Sequence, residues 1–182
     1  MEIRFDEVGH SYGDRTVLSD VTLTLTERRI GIVGVNGGGK STLARMINGL
    51  VVPTSGAVTV GGLDTRRKGG RVRKQVGFCF TDPDTQIVMP TVVEDVEFSL
   101  RRSGLSKVER RRRALQVLET YGLAGHADHP CHLLSGGQKQ LLALAAVLVL
   151  EPAVVVADEP TTLLDLRNRA LVAETFATLP QQ

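Results

Sequence analysis

Apolar and polar side chains alternate in Ile3-Arg4-Phe5 and again in Val21-Thr22-Leu23-Thr24-Leu25, with Tyr12-Gly13-Asp14 between them. A period of two with a glycine turn in the middle predicts an antiparallel hairpin with one buried face. Ile30-Gly31-Ile32-Val33 breaks the alternation and predicts a strand, which runs directly into Gly34-Val35-Asn36-Gly37-Gly38-Gly39-Lys40-Ser41-Thr42. Leu43, Met46, Ile47 and Leu50 then recur at helical spacing, so strand, glycine loop and helix follow one another. Further on, the pattern predicts a short β segment over Ala57–Val60, a basic loop over Arg66–Lys74 and a buried strand over Val76–Phe80. Ser106 with Glu109 three residues on predicts a capping box for a helix reaching about Tyr121, with Arg110 to Arg113 at its solvated start. A loop over Gly122–Leu134 leads to Ser135-Gly136-Gly137, which opens an apolar helix ending near Leu150. The apolar strand Ala153–Ala157 ends at Asp158-Glu159, and Asp165 begins a last helix. Strands wrapped around a helical insert from about Thr91 to Leu134 argue an α/β core with an inserted helical lobe.

Composition narrows this picture without redirecting it. The 182 residues allow one domain or a tight pair of lobes, and 22 basic against 20 acidic residues leave a net charge of +2. That balance gives no argument for nucleic acid, and the stretches Arg66–Lys74 and Arg110–Arg113 read as solvated faces. The amino terminus Met1-Glu2-Ile3-Arg4-Phe5-Asp6 has neither a signal-peptide core nor a transit-peptide bias. The apolar run Leu141–Leu150 is shorter than the roughly 18 to 20 residues that span a bilayer, so it reads as a buried helix. Cys79 and Cys131 read as free thiols in a reducing compartment. His126, His129, His132 and Cys131 lack zinc-site spacing and read as a loop surface.

The chemistry concentrates in three places. Gly34 to Ser41 matches G-x-x-x-x-G-K-[ST] between a strand and a helix. In that context successive backbone N–H groups turn onto phosphate oxygens and the helix amino end adds its dipole. Lys40 brings a charge to the β- and γ-phosphates and Ser41 is a ligand for Mg²⁺. At the exit of the apolar strand, Asp158 is placed for the same ion and Glu159 for the proton of an attacking water. Leu134-Ser135-Gly136-Gly137-Gln138 offers a second helix amino terminus to an anion.

These three motifs, in this order and over essentially the whole chain, resemble the ATP-binding cassette ATPases. The resemblance implies an α/β fold with a P-loop NTPase core, an antiparallel β subdomain and an inserted helical subdomain (about 91–134) in a single nucleotide-binding domain over 1–182. It implies that Asn36, Gly37, Gly38, Gly39, Lys40, Ser41 and Thr42 bind ATP as the Walker A loop, and that Ser135, Gly136, Gly137 and Gln138 are the signature. Asp158 is then the Walker B aspartate, Glu159 the catalytic base, Asp165 the D-loop aspartate, and Tyr12 the aromatic that stacks on adenine; a hairpin aromatic covering the core edge is the alternative for Tyr12. Such cassettes work as head-to-tail dimers in which one subunit's signature closes on ATP held by the other.

The stretch Phe80-Thr81-Asp82-Pro83-Asp84-Thr85-Gln86-Ile87-Val88-Met89-Pro90-Thr91 with Glu94-Asp95-Val96 is similar to energy-coupling-factor importers and their biotin and cobalt/nickel relatives. Thr81 stands where that family has a metal-sensing glutamine, and Gln86 is the nearest glutamine, assigned to catalysis and to the metal. The family's switch histidine lies about thirty residues beyond the D-loop, past Gln182, so a carboxy-terminally truncated cassette is expected. The resemblance implies an ATPase that energises import of biotin, or of cobalt or nickel, with Mg²⁺ as cofactor. The partners are membrane-embedded subunits and a second cassette, the same or different, with the chain peripheral on the cytoplasmic face of the membrane and no nucleic acid bound. A nucleotide-binding regulator without turnover is the alternative. Chromosome-organising relatives insert long coiled coils between Lys40 and Ser135; the 95 residues here, without a sustained heptad, leave no room.

Overall fold

The hairpin forms as β1 (Ile3–Tyr12) and β2 (Arg15–Leu25), paired antiparallel from Ile3 opposite Leu25 to Tyr12 opposite Arg15. Ile3, Phe5 and Val8 are buried, three apolar positions that a strict period of two cannot place on one face. The register shifts between Phe5 and Val8, where Glu7 takes φ 47°, and this bulge returns Val8 to the inner face. β3 (Ser55–Val60) pairs with the other edge of β1, and β4 (Leu63–Asp64) with β3, giving the order β2-β1-β3-β4. Against this sheet α1 (Lys40–Ile47) buries Leu43, Met46 and Ile47 with Phe5, Val58 and Val60. Each such side chain contributes about 1.5 to 3 kcal/mol through burial.

The computed structural model describes residues 1–162 and 164–178, and the chain divides into two units. The first is Met1–Gly77 with Ala153–Val156, and the second is Phe78–Pro152 with Ala157–Gln182. β5 (Val76–Cys79) and β6 (Val154–Ala157) pair with each other, and the chain passes from unit to unit within both strands. Val154 N–H donates to the Gln75 carbonyl and Asp158 N–H to that of Cys79, each at 3.0 Å. The offset is the same at both ends, so the two strands run parallel.

The second unit is built on α3 (Val92–Ser99), α4 (Lys107–Thr120), α5 (Gly136–Leu148) and α6 (Leu166–Thr178). The apolar α5 buries Leu141, Leu142, Leu144 and Ala145 among Val92, Val96, Leu100, Ala114, Leu118 and Leu123. The expected capping box of Ser106 with Glu109 is present, and the helix start expected at Ser135 proves to be a second one: the Ser106 and Ser135 hydroxyls accept from the N–H of Glu109 and Gln138, whose side chains accept from the serine N–H in return. Cys79 and Cys131 are buried free thiols, pushed by burial up to about 12 and about 11. Among the described residues no helix is long and apolar enough to cross a membrane.

Two expected elements differ. Residues 30–35 form no strand, and Val33 and Val35 are 93% and 78% exposed. An apolar stretch becomes a strand only where a neighbour completes the ladder, and no described strand pairs with this one. The basic stretch expected as a loop is instead α2 (Thr65–Val72). The Asp64 carboxylate caps it by accepting from Arg66 and Arg67 N–H at 2.8 and 3.1 Å, and Val72 anchors it in the core. Gly69-Gly70 and the dense charge hide that helix from a periodicity count.

Candidate functional site

In the first unit the glycine loop is shaped by its own backbone. Gly37 and Gly39 take φ 76° and 83°, and the Gly38 N–H closes a turn on the Val35 carbonyl at 3.1 Å. A Cβ on Gly39 would lie 2.8 Å from Leu18 Cδ2 and 3.0 Å from the Val17 carbonyl, so only glycine lets the loop seat on β2. The N-cap of α1 is Gly39 itself, with no side chain to accept from the first-turn N–H groups. A helix amino terminus left uncapped beside a lysine is a ready anion site. Lys40 Nζ donates to the Gly34 and Val35 carbonyls, both at 3.0 Å, which holds its charge over the loop. Asn36 is exposed in the turn, Ser41 is half-buried in the first turn of α1, and Thr42 is buried behind it.

Tyr12 closes β1, 52% exposed, with its ring edge-on to that of His10 at 4.6 Å. Arg15, its cross-strand partner, reaches the loop: Nη2 lies 3.7 Å from where a Gly37 Cβ would stand. Sequence reasoning missed this guanidinium because no motif contains it; its position beside Tyr12 was the only signal.

In the second unit the Ser135 box leaves Gly136 exposed and seats Gly137 on the Asn168 side-chain amide. Asn168 in turn donates to the Asp165 carboxylate from its backbone N–H at 2.8 Å and from Nδ2 at 3.1 Å, so Asp165 caps α6. Asp158 follows β6 and is 6% exposed, and its carbonyl accepts from Thr81 Oγ1 at 2.8 Å. Glu159 takes φ 51°, uncommon for a residue with a Cβ, which turns its exposed carboxylate outward with one bond from Thr162 Oγ1 at 3.2 Å. Gln86 is engaged at both ends of its carboxamide: Oε1 accepts from Phe80 N–H at 3.2 Å and Nε2 donates to the Ala143 carbonyl at 3.0 Å. That amide braces the Pro83–Thr85 turn against α5, so one lone pair of its Oε1 is already engaged by the Phe80 N–H.

An uncapped, lysine-bearing glycine loop, a serine-capped glycine turn and an acidic strand exit thus all form as discrete local structures. The family model for ABC transporters matches residues 18–162. The chain belongs to the ABC transporter ATP-binding family. The biotin transport ATP-binding protein BioM of Rhizobium etli is 47% identical to this ABC ATPase over 181 residues, covering 100% of this chain and 80% of that protein. The structure of cbiO1 from Clostridium perfringens, described as part of the ABC transporter complex cbiONQ, matches with TM-score 0.81 at 33% identity, over 97% of this chain and 74% of that one. The cassette MJ0796, dimeric in a post-hydrolysis state with ADP and Pi, matches with TM-score 0.81 at 30% identity, over 96% and 82%. Within this ABC ATPase, the glycine loop and Tyr12 lie in the first unit, and Asp158, Glu159, Gln86 and the Ser135–Gln138 turn in the second. The Ser41 hydroxyl and Asp158 carboxylate are hard oxygen donors of the type Mg²⁺ takes. A carboxylate as buried as that of Asp158 favours a cation beside it.

Proposed function

We propose that this chain is the ATP-hydrolysing, energising subunit of an importer of the energy-coupling-factor type, with biotin as first candidate solute and cobalt or nickel as second. The reading is carried by the glycine loop, whose uncapped α1 amino terminus and Lys40 face outward together from a backbone that only glycine permits. Similarity to BioM and to a cbiONQ component supports the importer class.

In this reading the loop N–H groups and Lys40 bind the β- and γ-phosphates, and Tyr12 stacks on the adenine. Ser41 and Asp158 are the residues that would supply oxygens to Mg²⁺, and its charge would offset that of the phosphates. The Glu159 carboxylate accepts a proton from the attacking water, its outward turn leaving it accessible. Ser135 to Gln138 meet the nucleotide of a second cassette, a copy or a relative, and the dimer docks peripherally on membrane-embedded subunits that select the solute. Thr81 in place of glutamine joins strand end to Walker B through the Asp158 carbonyl.

The test is nucleotide binding and turnover in the assembled transporter. Lys40→Ala is expected to weaken ATP binding and abolish hydrolysis, and Glu159→Gln to keep binding while slowing turnover about 10²-fold or more. Wild-type turnover in Lys40→Ala would overturn the reading. Co-purification with membrane subunits that bind labelled biotin tests the solute.

A further inference from the structure

The signature glutamine is not held by its capping box alone. Gln138 Oε1 accepts from Ser135 N–H at 2.9 Å, and Gln138 Nε2 lies 3.1 Å from Nε2 of His126. His126 Nδ1 is in turn 3.0 Å from Nδ1 of His129, with the rings edge to face. A backbone N–H only donates, so the Gln138 carbonyl must face Ser135 and its NH₂ must face His126. His126 Nε2 is therefore an acceptor, its proton sits on Nδ1 and donates to His129 Nδ1, and His129 carries its proton on Nε2.

We infer that His126 is a positioning residue for ATP hydrolysis, fixing the amide of Gln138 in the signature turn through a proton arrangement that exists only while the histidine pair is neutral. The inference rests on the reading that this turn meets nucleotide. Adding a proton to His126 places N–H against the Gln138 NH₂. Adding it to His129 reverses the bond between the rings, moves the His126 proton to Nε2, and gives the same collision. Either cation obliges Gln138 to lose His126 or to flip and lose Ser135, which opens the box at the start of α5.

Arg111 on α4 lies 2.8 Å from Asp128 and 3.5 Å from Glu97, and Lys139 on α5 lies 2.7 Å from Asp84. Asp128 itself lies between the two histidines in sequence, and His132 is exposed on the next turn, beside the neutral thiol of Cys131.

Three variants of the assembled transporter test this by turnover against pH, with ATP affinity measured in parallel. His126→Phe removes both ring nitrogens and is expected to lower turnover at pH 8 about three- to tenfold, the loss of one hydrogen bond, with ATP affinity unchanged. His126→Gln presents a carbonyl to Gln138 and an NH₂ to His129 and cannot be protonated. It is expected to restore turnover at pH 8 and to erase the decline between pH 8 and 6 that depends on the pair. His129→Gln is expected to shift that decline without removing it. Wild-type turnover and pH profile in His126→Phe, or an unaltered decline in His126→Gln, would overturn the inference. Independently of activity, the ring ¹⁵N signals of the isolated chain at pH 8 should show His126 protonated on Nδ1; protonation on Nε2 would overturn it even if no variant folds. Failure of the ATPase reading is separate, because it appears as turnover that survives Lys40→Ala.

Discussion

Arg15 and His10 flank Tyr12 in position along the hairpin, and each makes a prediction at the scale of one side chain. The Arg15 guanidinium stands beside Gly37 without belonging to any motif, and a phosphate on the loop would lie within its reach. Arg15→Ala is expected to weaken ATP and ADP binding about two- to fivefold and to reduce the salt dependence of that binding, with adenosine unaffected. Calorimetry with the three ligands at two salt concentrations checks this, and equal losses for all three would assign Arg15 to the adenine side. His10 is 8% exposed, and neither ring nitrogen has a hydrogen-bond partner among the described residues. A buried polar group without a partner is destabilising by about 1 to 3 kcal/mol, whereas an apolar ring of similar shape has no such cost. His10→Phe keeps an aromatic edge against Tyr12 and is expected to raise the thermal midpoint by several degrees, read by calorimetric unfolding. A lowered midpoint would mean that the imidazole is bonded in solution.

At the scale of elements, the helices of the second unit are set by their ends. The Asp95 carboxylate on α3 accepts from Val88 and Met89 N–H through Oδ1, at 2.8 and 3.0 Å, and so holds the preceding loop. Burial pushes this carboxyl above its ordinary value, against the opposing pull of those two bonds. The folded state therefore binds the proton more readily than the unfolded chain. The corresponding stability is complete below the ordinary aspartate value of about 3.9 and is lost as pH rises through the raised one. Asp95→Asn keeps the Oδ1 acceptor without the charge, so the decline over that window should vanish and stability at pH 7 should match or exceed the wild type. Urea unfolding at a series of pH values reads this, and an unchanged slope would place the titration on another group. The same elements show how far local sequence reaches. Ser106 with Glu109 was legible because a capping box closes within four residues, and Ser135 was legible as the cap of α5, though its reciprocal bond with Gln138 was not read. The α2 helix was not, because two adjacent glycines and its charge mask the one apolar anchor, Val72.

For the whole molecule, the proposed assembly makes one prediction that no single-chain experiment reaches. If the signature of one cassette meets the nucleotide of another, mixing Lys40→Ala with Ser135→Arg chains should restore one working site per mixed dimer. Turnover of the mixture well above either variant alone is the expected result, and none, with mixed dimers demonstrated by cross-linking, would favour sites completed within one chain. The sequence by itself determined the glycine loop with its lysine, the Ser106 capping box and the Ser135 cap, the acidic exit of β6 and the family to which they belong. These are patterns closed by neighbours along the chain, where propensity, capping and periodicity act. Tertiary structure decided what depends on residues far apart. Residues 30–35 have no ladder partner among the described strands, although their composition is that of a strand. Gln86 is tied to Ala143, 57 positions away, rather than displayed. Arg15 is carried to Gly37 by the way the loop seats on β2, and His126 to Gln138 by the turn that precedes α5. Hydrogen bonds of this second kind carry no signature in local sequence, since each donor meets its acceptor only after the core has brought their segments together.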